Sequence, residues 1–216
     1  MRKLLLQRPE PGLSASAAAA RSLGLEVLTC PLFVISPLAW TAPDPAHFDA
    51  LLLTSANAVR HAGPQLAKLA ALPVLAVGRT TADTARAVGL TVTNVGEAGA
   101  QQLLDSLAGS PHLLHLAGED HGAIIGHHVA TLAVYRAGMV DVPDLPDVTD
   151  MVIAVHSPRA GARLGDLVDA RSDTMIATIS EAAALACGSG WQALEWPPQP
   201  TDSALLALAA RLCQSR

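Results

Sequence analysis

The sequence predicts an α/β protein built on parallel sheets, and three observations carry that prediction. Short runs rich in Leu, Val and Ile alternate with Ala-rich stretches along the chain. The apolar runs are continuous rather than alternating, as in strands covered on both faces. The same order of elements also recurs at a fixed offset, and strand–helix alternation yields parallel sheets with right-handed crossovers.

The elements follow in order. Strands are predicted over Lys3–Leu6, Ala50–Leu53, Val74–Val77, Leu113–Leu116, Met151–Val155 and Met175–Ile179. Helices are predicted over Leu13–Leu23, Ala56–Ala62, Thr80–Val88, Ala100–Leu107, Arg159–Val168, Glu181–Ala186 and Ser203–Leu212. The opening Lys3–Leu28 reads as strand, helix, strand. Its start does not read as a signal peptide, because Gln7, Arg8, Pro9 and Glu10 end the apolar run of Leu4, Leu5 and Leu6 at once.

Residues Ala50–Asp105 align without a gap on Val152–Ala207, an offset of 102 positions. Ser55 falls on Ser157, Ala58 on Ala160, Gly63 on Gly165, Ala82 on Ala184, and Leu103 and Leu104 on Leu205 and Leu206. Two similar α/β units are expected, the copies beginning near Phe48 and Asp150. Two extended segments flank the first copy, Cys30–Ile35 leading in and Thr131–Arg136 leading out. Paired as a two-stranded linker, they would carry an inserted domain over 36–131. Residues 1–32 and 138–216 would then form one discontinuous domain. Linkers fall near 30–36 and 131–138, with a hinge there and a cleft between the domains.

Composition removes several functions. Of 216 residues 50% are apolar and only 15% charged, so the chain is no disordered segment and can bury a core. With net charge −5 and no Lys/Arg block it lacks the basic footprint of a DNA-groove binder. Aromatic residues at 3% are too few for a base-stacking platform. No apolar run reaches the ~18 residues of a membrane span, and a cytoplasmic, monomeric protein is expected. Cys30, Cys187 and Cys213 form no CxxC and are expected as buried or idle thiols. No HExxH, GxSxG, GxGxxG or P-loop occurs. Neither a metal site nor a cofactor is expected. His121 and His156 fall at strand ends, where solvated polar roles are common.

Ligands of open α/β sheets bind beyond the strands' carboxyl ends, and the residues there are of one kind. The predicted strands end in Thr54-Ser55-Ala56, Gly78-Arg79-Thr80-Thr81, Ala117-Gly118, His156-Ser157-Pro158 and Ser180-Glu181. Singly, each reads as an ordinary helix N-cap. Together, helix starts with free N–H groups would hold anions without basic side chains. The only tyrosine, Tyr135, lies on the outgoing extended segment. It reads either as an interface or core aromatic, or as a phenol donating a proton to a leaving hydroxyl.

The motifs resemble those of the uroporphyrinogen-III synthase family along nearly the whole chain. Leu6-Gln7-Arg8-Pro9 resembles the family's opening strand and Arg-Pro, and Leu51–Val59 its strand–Thr-Ser–helix segment. Ala76–Ala82 is similar to its Val-Gly-x-x-Thr-Ala turn, Val134–Ala137 to its tyrosine segment, and His156–Gly161 to its Ser-Pro turn. The resemblance implies two similar parallel-sheet (flavodoxin-like) domains joined by a two-stranded linker. It also implies cyclisation of hydroxymethylbilane to uroporphyrinogen III, with inversion of ring D, loss of water and no metal or cofactor. The substrate carries eight carboxylates and could be received from the enzyme that makes it. Strand ends and motifs together give a candidate binding set of Arg8, Thr54, Ser55, Ala56, Gly78, Thr80, Thr81, Gly118, Ser157, Pro158 and Ser180, with Tyr135 as catalytic phenol. The alternative is a non-enzymatic, hinge-type binding protein for small anions.

Two departures from the family pattern stand out. Only sixteen residues separate Gly118 from Tyr135 and none is Arg, so the family's helix there is expected to shrink to a loop. Ser180-Glu181-Ala182 replaces a turn richer in hydroxyls.

Overall fold

A computed structural model describes residues 1–97 and 99–215. Ala98 and Arg216, which fall within the expected inserted and discontinuous domains, lie outside that range. Strands are β1 (Lys3–Leu6), β2 (Val27–Thr29), β3 (Phe33–Pro37), β4 (Ala50–Leu53), β5 (Val74–Val77), β6 (Val92–Gly96), β7 (Leu113–Gly118), β8 (Val129–Met139), β9 (Met151–Val155), β10 (Met175–Thr178) and β11 (Ala193–Glu195). Helices are α1 (Gly12–Ser22), α2 (Ala56–His61), α3 (Arg79–Ala87), α4 (Ala100–Asp105), α5 (Pro158–Leu167), α6 (Glu181–Ala186) and α7 (Asp202–Gln214). Two 3-10 turns, Pro45–His47 and Gly63–Leu69, add to what the periodicity predicted.

The chain divides into two compact units. Unit 1 is Met1–Val34 with Met139–Arg216, and unit 2 is Ile35–Gly138. Unit 1 holds a five-stranded sheet in the order β11-β10-β9-β1-β2, with all four neighbouring pairs parallel. Unit 2 is built on a sheet in the order β3-β8-β7-β4-β5-β6. Its β4–β5, β4–β7, β5–β6 and β7–β8 pairs are parallel. The two extended segments expected to pair, β3 and β8, are hydrogen-bonded neighbours at one edge of that sheet.

The repeat has a structural counterpart. Helices α2, α3 and α4 start at Ala56, Arg79 and Ala100, while α5, α6 and α7 start at Pro158, Glu181 and Asp202, the same offset each time. In both units the third, second and first strands of the repeat are followed by two more, and unit 2 adds β3 beyond them. Unit 2 takes those two from β7 and β8, immediately downstream, whereas unit 1 takes them from β1 and β2, at the start of the chain. The spatial order is therefore shared while the chain order is circularly shifted.

Continuous apolar strands bury both faces. In unit 1, Leu4, Leu6, Val152 and Ala154 pack under α1 and α7, and Leu5, Ile153, Val155 and Ile176 pack on the opposite face with Ala160 and Leu164 of α5. In unit 2, Leu51, Leu53, Val74 and Ala76 pack with α2 and α3 residues Ala58, Val59, Ala82 and Ala85. The other face, Ala50, Leu52, Leu75 and Leu113, is met by Leu103 and Leu104 of α4. Burying a leucine fully stabilises by about 1.5–3 kcal/mol, which is why these runs hold the sheets' centres.

Candidate functional site

Strand order reverses in unit 2 between β4 and β7, and that reversal is where doubly wound sheets bind ligands. A cavity of ≈ 330 Å³ lies there. Thr54 and Ser55 after β4, His115 and Gly118 of β7, Ala100 and Gln101 of α4, Asp120–Ile124 and Tyr135 of β8 form its lining. The ten residues between β7 and β8, 119–128, contain no helix. Gln101 fastens this loop, donating from Nε2 to the Ile125 carbonyl (3.0 Å) and accepting the Ile125 N–H at Oε1 (3.3 Å). His127 adds a 2.9 Å bond to Asp105, and that hydrogen bond draws the Asp105 carboxyl below its usual range.

A strand irregularity aims the phenol. The parallel pairing of β7 and β8 runs Ala117 with Ala133 and then Gly118 with Tyr135, skipping Val134. This bulge re-aims one side chain, and the Tyr135 ring comes to lie over Gly118. A methyl group on Gly118 would stand 2.8 Å from Tyr135 Cζ. The absent side chain is thus what lets ring and backbone meet. His61 stands tilted to the same ring with centroids 6.3 Å apart. Burial first, and then the neighbouring Arg60 charge, holds the His61 imidazole below its usual value.

His115 forms the cavity's inner wall. It interrupts the Leu113–Leu116 apolar run and is 2% exposed. Its Nε2 meets the Thr54 hydroxyl at 2.9 Å and its Nδ1 the Thr131 hydroxyl at 3.4 Å. Burial, reinforced by nearby His121, lowers its pKa to about 4, so the ring is neutral at neutral pH. A histidine in a buried strand was the available signal for this residue, and periodicity alone passed over it.

At the matching reversal in unit 1, between β9 and β1, polar side chains from α1, α7 and the loops after β1 and β9 meet. Asp202 Oδ1 accepts from His156 Nε2 (2.8 Å), Arg8 Nη1 (3.1 Å) and Ser16 Oγ (2.9 Å). Burial raises the Asp202 pKa, but the His156 and Ser16 hydrogen bonds and the His156 and Arg8 charges outweigh it and leave it below normal. The His156 side chain is 9% exposed, and the residue is a half-buried partner of Asp202 rather than the solvated histidine expected at a strand end. The expected binder Arg8 spends a guanidinium nitrogen on Asp202 and packs against Gly12.

The other candidates fall as follows. Thr54, Ser55, Gly118 and Tyr135 share the unit 2 cavity. Ala56 is buried at the start of α2. Gly78, Thr80 and Thr81 open α3 on the far side of β5, outside that lining, and Thr81 is 5% exposed. Ser157, Pro158 and Ser180 belong to unit 1. Ser55, Ser157 and Ser180 each accept a backbone N–H, from Asn57, Ala160 and Ala183, so their hydroxyls act as helix caps. Among the described residues no His/Cys/Asp/Glu group could hold a metal, and no helix is long and apolar enough to cross a membrane.

Two units, each built on a largely parallel sheet whose strand order reverses once, define a two-unit α/β protein. The chain belongs to the uroporphyrinogen-III synthase (HemD) family, whose model matches residues 14–207. Among solved structures, uroporphyrinogen-III synthetase from Helicobacter pylori is similar at 19% identity and TM-score 0.71, over 98% of this chain and 100% of that one. A mutant uroporphyrinogen III synthase from Thermus thermophilus is similar at 16% identity and TM-score 0.56, over the full length of both. At these identities the likeness speaks for the fold. Comparison with curated protein sequences gives no match.

Proposed function

We propose that the protein cyclises hydroxymethylbilane to uroporphyrinogen III, inverting ring D and releasing water, as a cyclising hydro-lyase. Family membership over residues 14–207 supports the reaction. The observation that carries the residue assignment is Tyr135, set over Gly118 at the edge of the unit 2 cavity. An electron-rich pyrrole expels its hydroxyl with modest help, and a phenol O–H beside the departing oxygen supplies it. The larger task is conformational. The substituted carbon of ring D must be held against the reactive terminus so that it attacks first, and positioning of this kind contributes several kcal/mol.

The substrate-binding set in this reading is Thr54, Ser55 and Gly118 around Tyr135, with Ala56, Gly78, Thr80 and Thr81 at the helix starts of unit 2. Arg8, Ser157, Pro158 and Ser180 are the corresponding candidates of unit 1. The tetrapyrrole is the partner, received from the enzyme that makes it, and the protein acts as a monomer in the cytoplasm. Three buried free thiols support a reducing compartment. The test is incubation with fresh hydroxymethylbilane, oxidation of the products and separation of the isomers. The type III isomer is expected well above the spontaneous type I background. Type I alone would overturn the reading and leave an anion-binding protein as its successor.

A further inference from the structure

A polar chain crosses three adjacent strands at the wall of the unit 2 cavity. Thr54 follows β4, His115 lies in β7 and Thr131 in β8, and the strands stand side by side in the order β8-β7-β4. His115 interrupts an apolar run, and the matching register of unit 1 holds Leu6. A leucine fills such a place with no buried polar group to satisfy. Packing alone therefore does not require an imidazole here.

The two contacts of the ring decide where its hydrogen sits. Burial keeps the ring neutral at neutral pH, so it carries a single N–H. Nε2 is 2.9 Å from Thr54 Oγ1, and Nδ1 is 3.4 Å from Thr131 Oγ1. Buried N–H groups go unpaired less often than buried acceptors, which assigns the hydrogen to Nε2, at the short contact. Thr54 Oγ1 then accepts from His115, and its own O–H is left for another acceptor. Thr54 lines the cavity, where a ligand can supply one. With the hydrogen on Nδ1, Thr54 would instead donate to Nε2 and turn only lone pairs to the cavity.

We infer that His115 is a positioning residue: its Nε2–H fixes the Thr54 hydroxyl as a hydrogen-bond donor, so that this wall takes an oxygen of the ligand rather than a pyrrole N–H. The inference rests on the proposed reaction for the identity of the ligand. The linear tetrapyrrole offers acceptor oxygens from two sources, its carboxylates and the departing hydroxyl. The cyclised product keeps the carboxylates and lacks that hydroxyl, which separates the two.

Nitrogen NMR of isotope-labelled histidines reads the tautomer in the wild type, and hydrogen on His115 Nε2 is expected. Hydrogen on Nδ1 overturns the inference. Kinetics with hydroxymethylbilane and equilibrium binding of uroporphyrinogen III then test the coupling. Thr54→Val keeps the shape, removes the O–H and should lower kcat/KM about tenfold, the scale of one hydrogen bond. His115→Leu should lower it several-fold while Thr54 is present, but change it by less than about twofold in the Thr54→Val background. A histidine that only supported the fold would add its own loss in both backgrounds. Thr54→Ser and His115→Gln each keep a donor and should stay within about threefold of wild type. A loss shared by product binding assigns the oxygen to a carboxylate, and a loss confined to turnover assigns it to the departing hydroxyl. Additive losses, or wild-type activity and product affinity in Thr54→Val, overturn the inference while the reaction stands. A wild type that makes no type III isomer overturns the proposed reaction instead. The tautomer and product binding in the same variants then still decide the role of His115, and absence of product binding overturns it too.

Discussion

The two units place their strands in one order but treat the reversal point in opposite ways. In unit 1 the crossover from β1 to β2 contains an eleven-residue helix, α1, whose Leu13, Ala17 and Ala20 extend the core under α7. In unit 2 the crossover from β7 to β8 is the loop 119–128, and the core on that face ends at Leu103, Leu104 and partly buried Ile124 and Val129. Under the repeat offset Thr54 matches His156 and Ala100 matches Asp202. His156 and Asp202 meet in a hydrogen bond, while Thr54 and Ala100 both line a cavity. Where the helix and the carboxylate are present, the reversal point is filled. Where both are missing, it is open and has Tyr135 on its edge. A duplicated fold can thus treat one position in two ways, filled by a polar cluster in one copy and open as a cavity in the other.

The largest expected effect tests the open side. Tyr135→Phe removes one O–H and should lower turnover by about 10–10³-fold with little change in melting temperature, the scale of general-acid help. The residual product should stay type III, because positioning and not the phenol selects the attacking carbon. Gly118→Ala should lower turnover by a similar factor with Tyr135 intact, since the added methyl must push the ring aside. Full activity in both variants would make Tyr135 a packing aromatic.

The next sharpens the comparison through acid sensitivity. The His115 pKa of about 4 lies below the ordinary 6.5, so the unfolded chain takes up this proton first. Stability should fall as pH drops through 6.5 and stop falling near 4, by up to roughly 3 kcal/mol at ~1.4 kcal/mol per pKa unit. In the matching register of unit 1 stands Leu6. His115→Leu should abolish this loss in urea melts between those pH values, and an unchanged pH slope would contradict the account.

Asp202→Asn tests the filled side. It weakens three contacts at once, but the group is 37% exposed, so a loss of about 1–2 kcal/mol is expected at neutral pH. The wild-type Asp202 pKa lies below the ordinary 3.8, so its contribution is present above that value and fades as pH falls below it. The difference in stability between wild type and Asp202→Asn should accordingly shrink in acid. The smallest effects belong to the caps. Ser55→Ala and Ser157→Ala should each lose about 1 kcal/mol of stability and little activity, and abolished activity in a folded variant would make these hydroxyls ligands instead.

Much of this was legible because it is local. Continuous runs such as Leu51–Leu53 mark doubly covered strands, and Ser55, Ser157 and Ser180 announce helix starts within a residue or so of where α2, α5 and α6 begin. The missing helix after Gly118 followed from counting residues to Tyr135. Pairing that is remote in sequence left no such mark. Asp202 meets Arg8 from 194 residues away. Neither its charge nor its place in a helix's first turn distinguishes it from Glu181, which makes an ordinary dipole contact at the start of α6. The bulge that sets Tyr135 over Gly118 depends on the register of two strands, which no single stretch of chain encodes.

The circular shift between the units also has a consequence during synthesis. All the strands of the unit 2 sheet lie between residues 33 and 139, so that sheet can form as soon as this stretch has emerged. The strands β1 and β2 are made first, yet their partners β9, β10 and β11 begin at Met151. At ~5–20 residues per second they wait on the order of ten seconds with an unpaired apolar edge, Leu4-Leu5-Leu6, exposed to other nascent chains. Slow translation of the middle segment would lengthen that interval, and fusion of residues 1–34 behind the last residue would remove it.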